Sequence, residues 1–208
     1  LTLEHLVMID LNYIYSKIYL FGEIFDIFEK GYTKSTKRYI KAWHDLSREM
    51  SDYAEQHFDF GCYISIRKDR SCALYELNYD GAANVPQEHY EDSEIEISIN
   101  LSPELYSRQL YIPNEQWIKY KEQFILTFVH EMTHSMQFDD NKDQVDDYYS
   151  SPFEIDAYSS ELAFDMHLFN RKATECDAFD RYRNVDKKVS SKMYELAKQK
   201  YEYLKKHK

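Results

Sequence analysis

Residues 124–134 read FILTFVHEMTH, and this stretch decides how the rest of the chain is interpreted. Its apolar residues would cover nearly every side of a helix: Phe124, Ile125, Leu126, Phe128 and Val129. A helix of that kind belongs in the middle of a domain. The flanking sequence predicts that it runs from about Asn114 to Phe138. Polar side chains in such a helix are costly unless they have partners, so the polar residues that end the stretch require an explanation.

The stretch ends in His130-Glu131-Met132-Thr133-His134. Residues four apart lie one turn apart on the same face of a helix, so His130 and His134 can turn imidazole nitrogens towards one metal ion. Glu131 lies one position round the helix, where it cannot ligate but can take a proton from a water that the metal binds. The alternative is an ordinary helix face that carries two hydrogen-bonded histidines.

A third protein ligand is needed, because a catalytic zinc site keeps three protein ligands and one water. Glu154 on the next predicted helix meets this need, since residues 135–153 are enough chain to turn back and begin a second helix beside the first. Ser151-x-x-Glu154 is also a capping box, in which the carboxylate bonds back to the cap amide. The two roles compete for one carboxylate, and the histidine pair favours the ligand role.

Three further residues follow on the same predicted helix. Glu161 lies two turns beyond Glu154, where a surface position is the first expectation; a ligand role or an acceptor role for a histidine N–H are the alternatives. Asp165 shares that face. His167 lies about 220° round the helix from Glu154 and should face elsewhere.

The pattern of the two histidines, Glu131 and the later Glu154 resembles the gluzincin branch of the zincin metallopeptidases, with the spacing of the thermolysin family. The order of strands, active helix and glutamate helix over residues 62–170 is similar to a minimal zincin domain. The resemblance implies that His130, His134 and Glu154 bind Zn²⁺ and that Glu131 is the general base.

The chain departs from the thermolysin pattern at one informative position. Thermolysin-like chains carry an aspartate four residues after the glutamate ligand, where this chain has Tyr158. Gln137 and the pair Ala157-Tyr158 look more like poorly characterised bacterial and phage zincin-like proteins. The resemblance therefore holds at the level of the clan and names no substrate.

The function predicted from these residues is a zinc-dependent metallopeptidase, a hydrolase of peptide or protein substrates. The alternative is a catalytically weak or inactive zincin-fold protein with a binding or structural role, in a phage-related setting. Candidates for the donor that stabilises the oxyanion are Tyr148, Tyr149, His89 and Tyr90. The strand Glu94–Leu101 would bind an extended substrate if it lay at a sheet edge.

The predicted fold is α+β: one zincin-like domain over residues 1–208 with a small antiparallel sheet. Residues 1–60 form its helical N-terminal part, 62–170 its catalytic core and 185–206 its C-terminal helix. The pattern of apolar residues predicts three strands: Cys62–Ile66, Ala73–Tyr79 and Glu94–Leu101. Local signals predict a helix C-cap at Gly31, a turn at Asp80-Gly81 and a helix start at Ser151-Pro152.

Composition excludes several classes of protein. With 26 Lys+Arg against 37 Asp+Glu, the net charge is −11, which argues against nucleic acid as a partner. An acidic mimic of nucleic acid would leave the histidine pair unexplained.

The 4 glycines are too far apart for a Walker A or Rossmann loop. No apolar run reaches membrane-span length, so no membrane partner is expected. Oligomeric state is left open.

The cysteines and the first residues of the chain are the sequence features that indicate a cellular compartment. Cys62, Cys72 and Cys176 are too widely spaced for a disulfide framework and favour a reducing compartment, so the cytoplasm is expected. No basic-then-apolar signal peptide opens the chain. Because the chain begins at Leu1 rather than methionine, removal of a leader stays open.

Overall fold

The computed structural model describes residues 11–34, 40–73, 76–84, 94–107, 110–137 and 148–207. These residues are mostly helical with one small sheet, which confirms the α+β class. The helices are α1 (Leu11–Lys34), α2 (Ile40–His57), α3 (Pro103–Ser107), α4 (Asn114–Ser135), α5 (Pro152–Leu168), α6 (Asp177–Tyr182) and α7 (Lys187–Lys206). The strands are β1 (Gly61–Lys68), β2 (Leu77–Asn84) and β3 (Glu94–Leu101). None of the helices within these ranges is both long and apolar enough to cross a membrane.

The chain divides into two compact units. The sheet unit contains the described residues of 17–84 and 91–128, and the helical unit contains those of 11–16 and 129–207. Residues of α4 up to Phe128 therefore belong to the sheet unit, and those from Val129 onward to the helical unit. The single domain that the sequence predicts for residues 1–208 stays a prediction.

The sheet is mixed, which corrects the predicted antiparallel sheet. The strand order is β1-β3-β2: β1 pairs parallel with β3, and β2 pairs antiparallel with it. Ser98 and Asn100 of β3 are buried, and so are the apolar residues on either side of them, so both faces of this part of the strand are covered. Both edges of β3 are hydrogen-bonded to neighbours, so the hypothesis that this strand binds substrate by strand addition is wrong.

Strand β2 begins and ends later than predicted. It runs from Leu77 to Asn84, and its register with β3 continues through Asp80 and Gly81. Asp80 Oδ2 accepts a hydrogen bond from Asn100 Nδ2 of β3 at 2.6 Å. The predicted turn at Asp80-Gly81 is therefore wrong, because pairing along the whole of β3 outweighs the local turn preference of this dipeptide.

The core of the sheet unit is aromatic. Phe21 of α1 stacks on Phe128 of α4 with ring centroids 4.6 Å apart, and Phe25 meets Phe124 at 5.5 Å. Gly31 lies inside α1 and is not the predicted C-cap. A Cβ at this position would lie 2.5 Å from Leu46 Cδ1 of α2, so the missing side chain allows the two helices to approach closely.

The helical unit is built round α5, whose residues from Glu154 to Asp165 are all buried. Helix α5 begins at Pro152 with Ser151 at its N-cap, as predicted. Its neighbour α7 starts two residues later than predicted; there the N-cap Asp186 accepts a hydrogen bond from the Lys188 amide at 2.8 Å. Apolar residues of α5, α6 and α7 share one buried cluster: Ile155, Tyr158, Leu162, Cys176, Ala178, Tyr182, Met193 and Ala197.

Helix α4 ends at Ser135, before the predicted end at Phe138, which lies outside the described residues. The amide of Gln137 donates to the His134 carbonyl at 3.0 Å, three residues back rather than four. This tight last turn interrupts the α-helical pattern and brings the Gln137 side chain back to His134.

Candidate metal centre

Three predicted ligands meet where the end of α4 lies beside the start of α5. His130 Nε2 and His134 Nε2 are 3.1 Å apart. The carboxylate of Glu154 faces both nitrogens, with Oε2 3.5 Å from His130 Nε2 and Oε1 3.3 Å from His134 Nε2. Among the described residues, these three form the one group of histidine, cysteine or carboxylate side chains able to hold a metal ion.

The distances within this group suit a small tetrahedral ion. Ligand atoms that lie 2.0–2.1 Å from a tetrahedral zinc are about 3.3 Å from one another. The two imidazole nitrogens are 3.1 Å apart, and each lies 3.3 Å or 3.5 Å from its own oxygen of the Glu154 carboxylate. One ligand atom from each of the three residues lies within 4.8 Å of the other two. The donor set of two imidazoles and one carboxylate is also one that zinc accepts in catalytic sites.

The capping alternative for Glu154 finds no support at the start of α5. The N-cap Ser151 makes no side-chain capping hydrogen bond. The Glu154 carboxylate instead lies against the two imidazoles.

Glu161 occupies a different place from the one first expected. It is buried rather than on the surface, and its Oε2 lies 3.2 Å from His130 Nδ1. A carboxylate can only accept here, so a hydrogen of the imidazole lies on Nδ1, and Nε2 is the ring nitrogen that faces His134 and Glu154. The surface expectation fails because α5 is buried over its whole middle, which leaves no solvent-facing side at Glu161.

His134 also has a partner at its second ring nitrogen, Gln137, to which the sequence analysis gave no role in the site. Its Nδ1 lies 2.8 Å from Gln137 Oε1. The amide nitrogen of Gln137 donates to the Phe153 carbonyl at 3.0 Å and to Asp156 Oδ2 at 3.2 Å. The sequence signal for this contact is a glutamine three residues after the second histidine. It predicts the contact only when the end of the helix is also known.

Burial and charge alter the acid–base properties of the site. Burial disfavours the imidazolium and lowers the pKa of His130, but hydrogen bonds to Glu154 and Glu161 outweigh burial and raise that pKa to about 9. Glu131 is only 7% exposed, and burial raises the pKa of its carboxyl above the ordinary value. A carboxylate with a raised pKa is a stronger proton acceptor, as a general base requires.

Tyr158 occupies the position where thermolysin-like chains carry an aspartate. Its ring packs edge-on against His130 with centroids 4.4 Å apart, and its hydroxyl lies 3.4 Å from Arg181 Nη1. The tyrosine therefore supports one histidine by packing, while Glu161 supplies the carboxylate to its Nδ1.

The remaining candidates have different surroundings. Asp165 is buried and pairs with Arg171 at 2.9 Å. His167 faces Tyr15 and Tyr201 and takes no part in the group of three ligands, as predicted. Among the oxyanion candidates, the ring of Tyr149 packs against Tyr158 and Tyr182. The other three, His89, Tyr90 and the side chain of Tyr148, lie outside the described residues.

Comparison of the chain with protein-family models, curated proteins and solved structures finds no match. The function must therefore be inferred from the residues of the candidate site. They consist of two histidines one helical turn apart, a carboxylate from the next helix that faces both, and a buried glutamate beside the first histidine.

Proposed function

We propose that this protein is a zinc-dependent metallopeptidase of the zincin type. In this proposal His130, His134 and Glu154 hold the metal, and Glu131 is the general base that acts on a peptide substrate. The observation that carries the proposal is the convergence of two imidazole Nε2 atoms and one carboxylate within 3.5 Å of each other.

The hydrogen bonds on the far side of each imidazole support this proposal. His130 Nδ1 faces Glu161, and His134 Nδ1 faces the Gln137 oxygen. Both Nε2 atoms are thereby directed towards the Glu154 carboxylate. Metal-binding histidines in proteins usually have this arrangement, with the second ring nitrogen donating to a carboxylate or carbonyl oxygen.

Zinc held by these ligands would supply a Lewis acid and lower the pKa of a bound water to about 7. Glu131 would accept the proton of the attacking water and pass it to the leaving nitrogen of the peptide. Burial keeps the Glu131 carboxylate in an environment where a proton is bound more readily. The side chains of His134 and Glu154 stay 16% and 12% exposed, so these two proposed ligands are not fully sealed from solvent.

The test of this proposal is peptide hydrolysis by the zinc-loaded full chain and by Glu131→Gln. Internally quenched peptides of mixed sequence are the probe, and Glu195→Gln on the exposed face of α7 is the matched control. General-base catalysis contributes about 10²–10⁴-fold, so Glu131→Gln should lose hydrolysis by this factor and keep its zinc. Equal turnover in Glu131→Gln and the wild type would exclude Glu131 as the base.

A zincin-fold protein with a binding or structural role is the outcome that this experiment would favour if hydrolysis is absent. Zinc bound to the wild type without turnover of any peptide would separate that role from a peptidase. In that case Glu131→Gln and the wild type would not differ in zinc content or in hydrolysis.

A further inference from the structure

A buried lysine of α7 is hydrogen-bonded to residues near the start of α5. Lys200 is 8% exposed, and its ammonium donates to Asp156 Oδ1 at 2.6 Å, to the Asp156 carbonyl at 2.9 Å and to Ser160 Oγ at 2.7 Å. An ammonium has three hydrogens, so these bonds use all of its donors. A buried charge that is fully hydrogen-bonded and paired holds its partner in one position.

The second carboxylate oxygen of Asp156 is hydrogen-bonded to Gln137, which in turn contacts the proposed ligand His134. Asp156 Oδ2 accepts from Gln137 Nε2 at 3.2 Å, and Gln137 Oε1 lies 2.8 Å from His134 Nδ1. Hydrogen bonds therefore run from Lys200 through Asp156 and Gln137 to His134. All four residues belong to the helical unit.

The orientation of the Gln137 amide is fixed by what its nitrogen faces. That nitrogen donates to two acceptors, the Phe153 carbonyl and Asp156 Oδ2. A reversed amide would place its oxygen against both of these oxygens and lose both hydrogen bonds. The Gln137 oxygen must therefore face His134, and the imidazole must carry its hydrogen on Nδ1. His134 Nε2 is then the ring nitrogen that faces Glu154.

The two histidines are supported by different means. His130 has a carboxylate directly at its Nδ1, that of Glu161. His134 has a neutral amide, which by itself could present either its oxygen or its nitrogen. The Asp156 carboxylate removes that choice, and Lys200 compensates the buried negative charge of Asp156.

We propose that Gln137, Asp156 and Lys200 are positioning residues that fix the tautomer and orientation of His134 for metal binding. This inference rests on the proposed zinc site. It adds that Lys200 of α7, distant in sequence from the ligands, is required for full metal affinity. Removal of an outer hydrogen-bond partner of a metal-binding histidine typically weakens metal binding 10–100-fold.

The test uses the full chain labelled with ¹⁵N in histidine. Long-range ¹H–¹⁵N spectra of the metal-free protein report the tautomer of His134, and zinc affinity is measured by competition with a chelator. The variants are Gln137→Leu and Lys200→Met, with Lys198→Met on the exposed face of α7 as the matched control. Circular dichroism and thermal unfolding check that each variant folds.

The expected wild-type result is the Nδ1–H form of His134. Gln137→Leu should lose this single tautomer and bind zinc 10–100-fold more weakly, and Lys200→Met should shift in the same direction. Lys198→Met should match the wild type.

Two outcomes would overturn the inference. An Nε2–H tautomer of His134 in the wild type would do so even if every variant failed to fold. Unchanged zinc affinity and tautomer in folded Gln137→Leu and Lys200→Met would also do so, while the zinc site itself would stand. Failure of the wild type to bind zinc would instead contradict the proposed function, because the tautomer can still be read without metal.

Discussion

The Nε2 atoms of His130 and His134 lie 3.1 Å apart at the end of α4, with the Glu154 carboxylate facing both. Two imidazole lone pairs and a carboxylate at this distance repel one another unless a cation or a proton lies between them. The raised pKa of His130 is the response of the metal-free protein to this arrangement, since hydrogen bonds to Glu154 and Glu161 stabilise a proton there. Zinc would take the place of that proton.

Replacement of Glu161 tests whether the second nitrogen of His130 must have an acceptor. Glu161→Leu removes the acceptor at Nδ1 and should weaken zinc binding about 10–100-fold. Glu161→Gln keeps an oxygen at the same position and should retain most of the affinity. Chelator competition measures both. Equal affinity in Glu161→Leu and Glu161→Gln would contradict the orienting role of this carboxylate.

Replacement of Ser151 tests whether its side chain caps α5, and replacement of Glu154 tests the ligand role. The Ser151 side chain makes no capping hydrogen bond, so Ser151→Ala should change the free energy of unfolding by less than about 0.5 kcal/mol and leave zinc content unaltered. Glu154→Ala should abolish zinc binding. Chemical denaturation and metal analysis give the two results. A loss of about 1 kcal/mol or more in Ser151→Ala would show that a cap operates at this helix start.

The metal-free protein should lose stability as pH rises. The pKa of His130 is about 9 in the folded protein and about 6.5 in an unfolded chain. The stabilising contribution of its proton is therefore fully present below about pH 6.5 and is lost as pH rises through about 9. The shift corresponds to at most about 3 kcal/mol in the free energy of unfolding.

Urea unfolding of the metal-free protein between pH 6 and 9.5 measures this dependence. His130→Gln should remove most of the slope, and His44→Gln on the exposed face of α2 is the control. Saturating zinc should oppose the decline, because metal binds the deprotonated imidazole and stabilises the folded state by mass action. A metal-free protein that becomes more stable across this range would contradict the assigned direction.

The three proposed ligands could be predicted from the sequence because their relationship is local. His130 and His134 are one turn apart on a single helix, and Ser151-Pro152 marks the start of the helix that carries Glu154. Helix period and helix-start signals depend on neighbouring residues alone, so they can be read without knowledge of tertiary packing.

The supporting residues could not be predicted in the same way. Gln137 reaches His134 because α4 ends early, and Asp156 and Lys200 meet because α7 packs against α5. Glutamate is mostly an exposed residue, so burial of Glu161 had no local signal. These contacts depend on which helices pack together, and the spacing of residues along the chain does not encode that.

The sheet was mispredicted for a related reason. The sequence predicted an antiparallel sheet and a turn at Asp80-Gly81, whereas β3 lies between β1 and β2 and pairs parallel with β1 and antiparallel with β2. Gly31 likewise looks like a helix cap from its neighbours in the sequence, but in the folded protein it lies inside α1 where this helix packs against Leu46. In both cases long-range packing outweighs the local preference.

The metal content of the purified protein, measured by elemental mass spectrometry, tests the central claim most directly. Wild type, His134→Ala and Glu154→Ala are compared, with His44→Ala as the exposed control. We expect about one zinc per chain in the wild type and in His44→Ala, and none in the two ligand variants. A wild-type protein that holds no metal, and takes up none when zinc is supplied, would contradict the account.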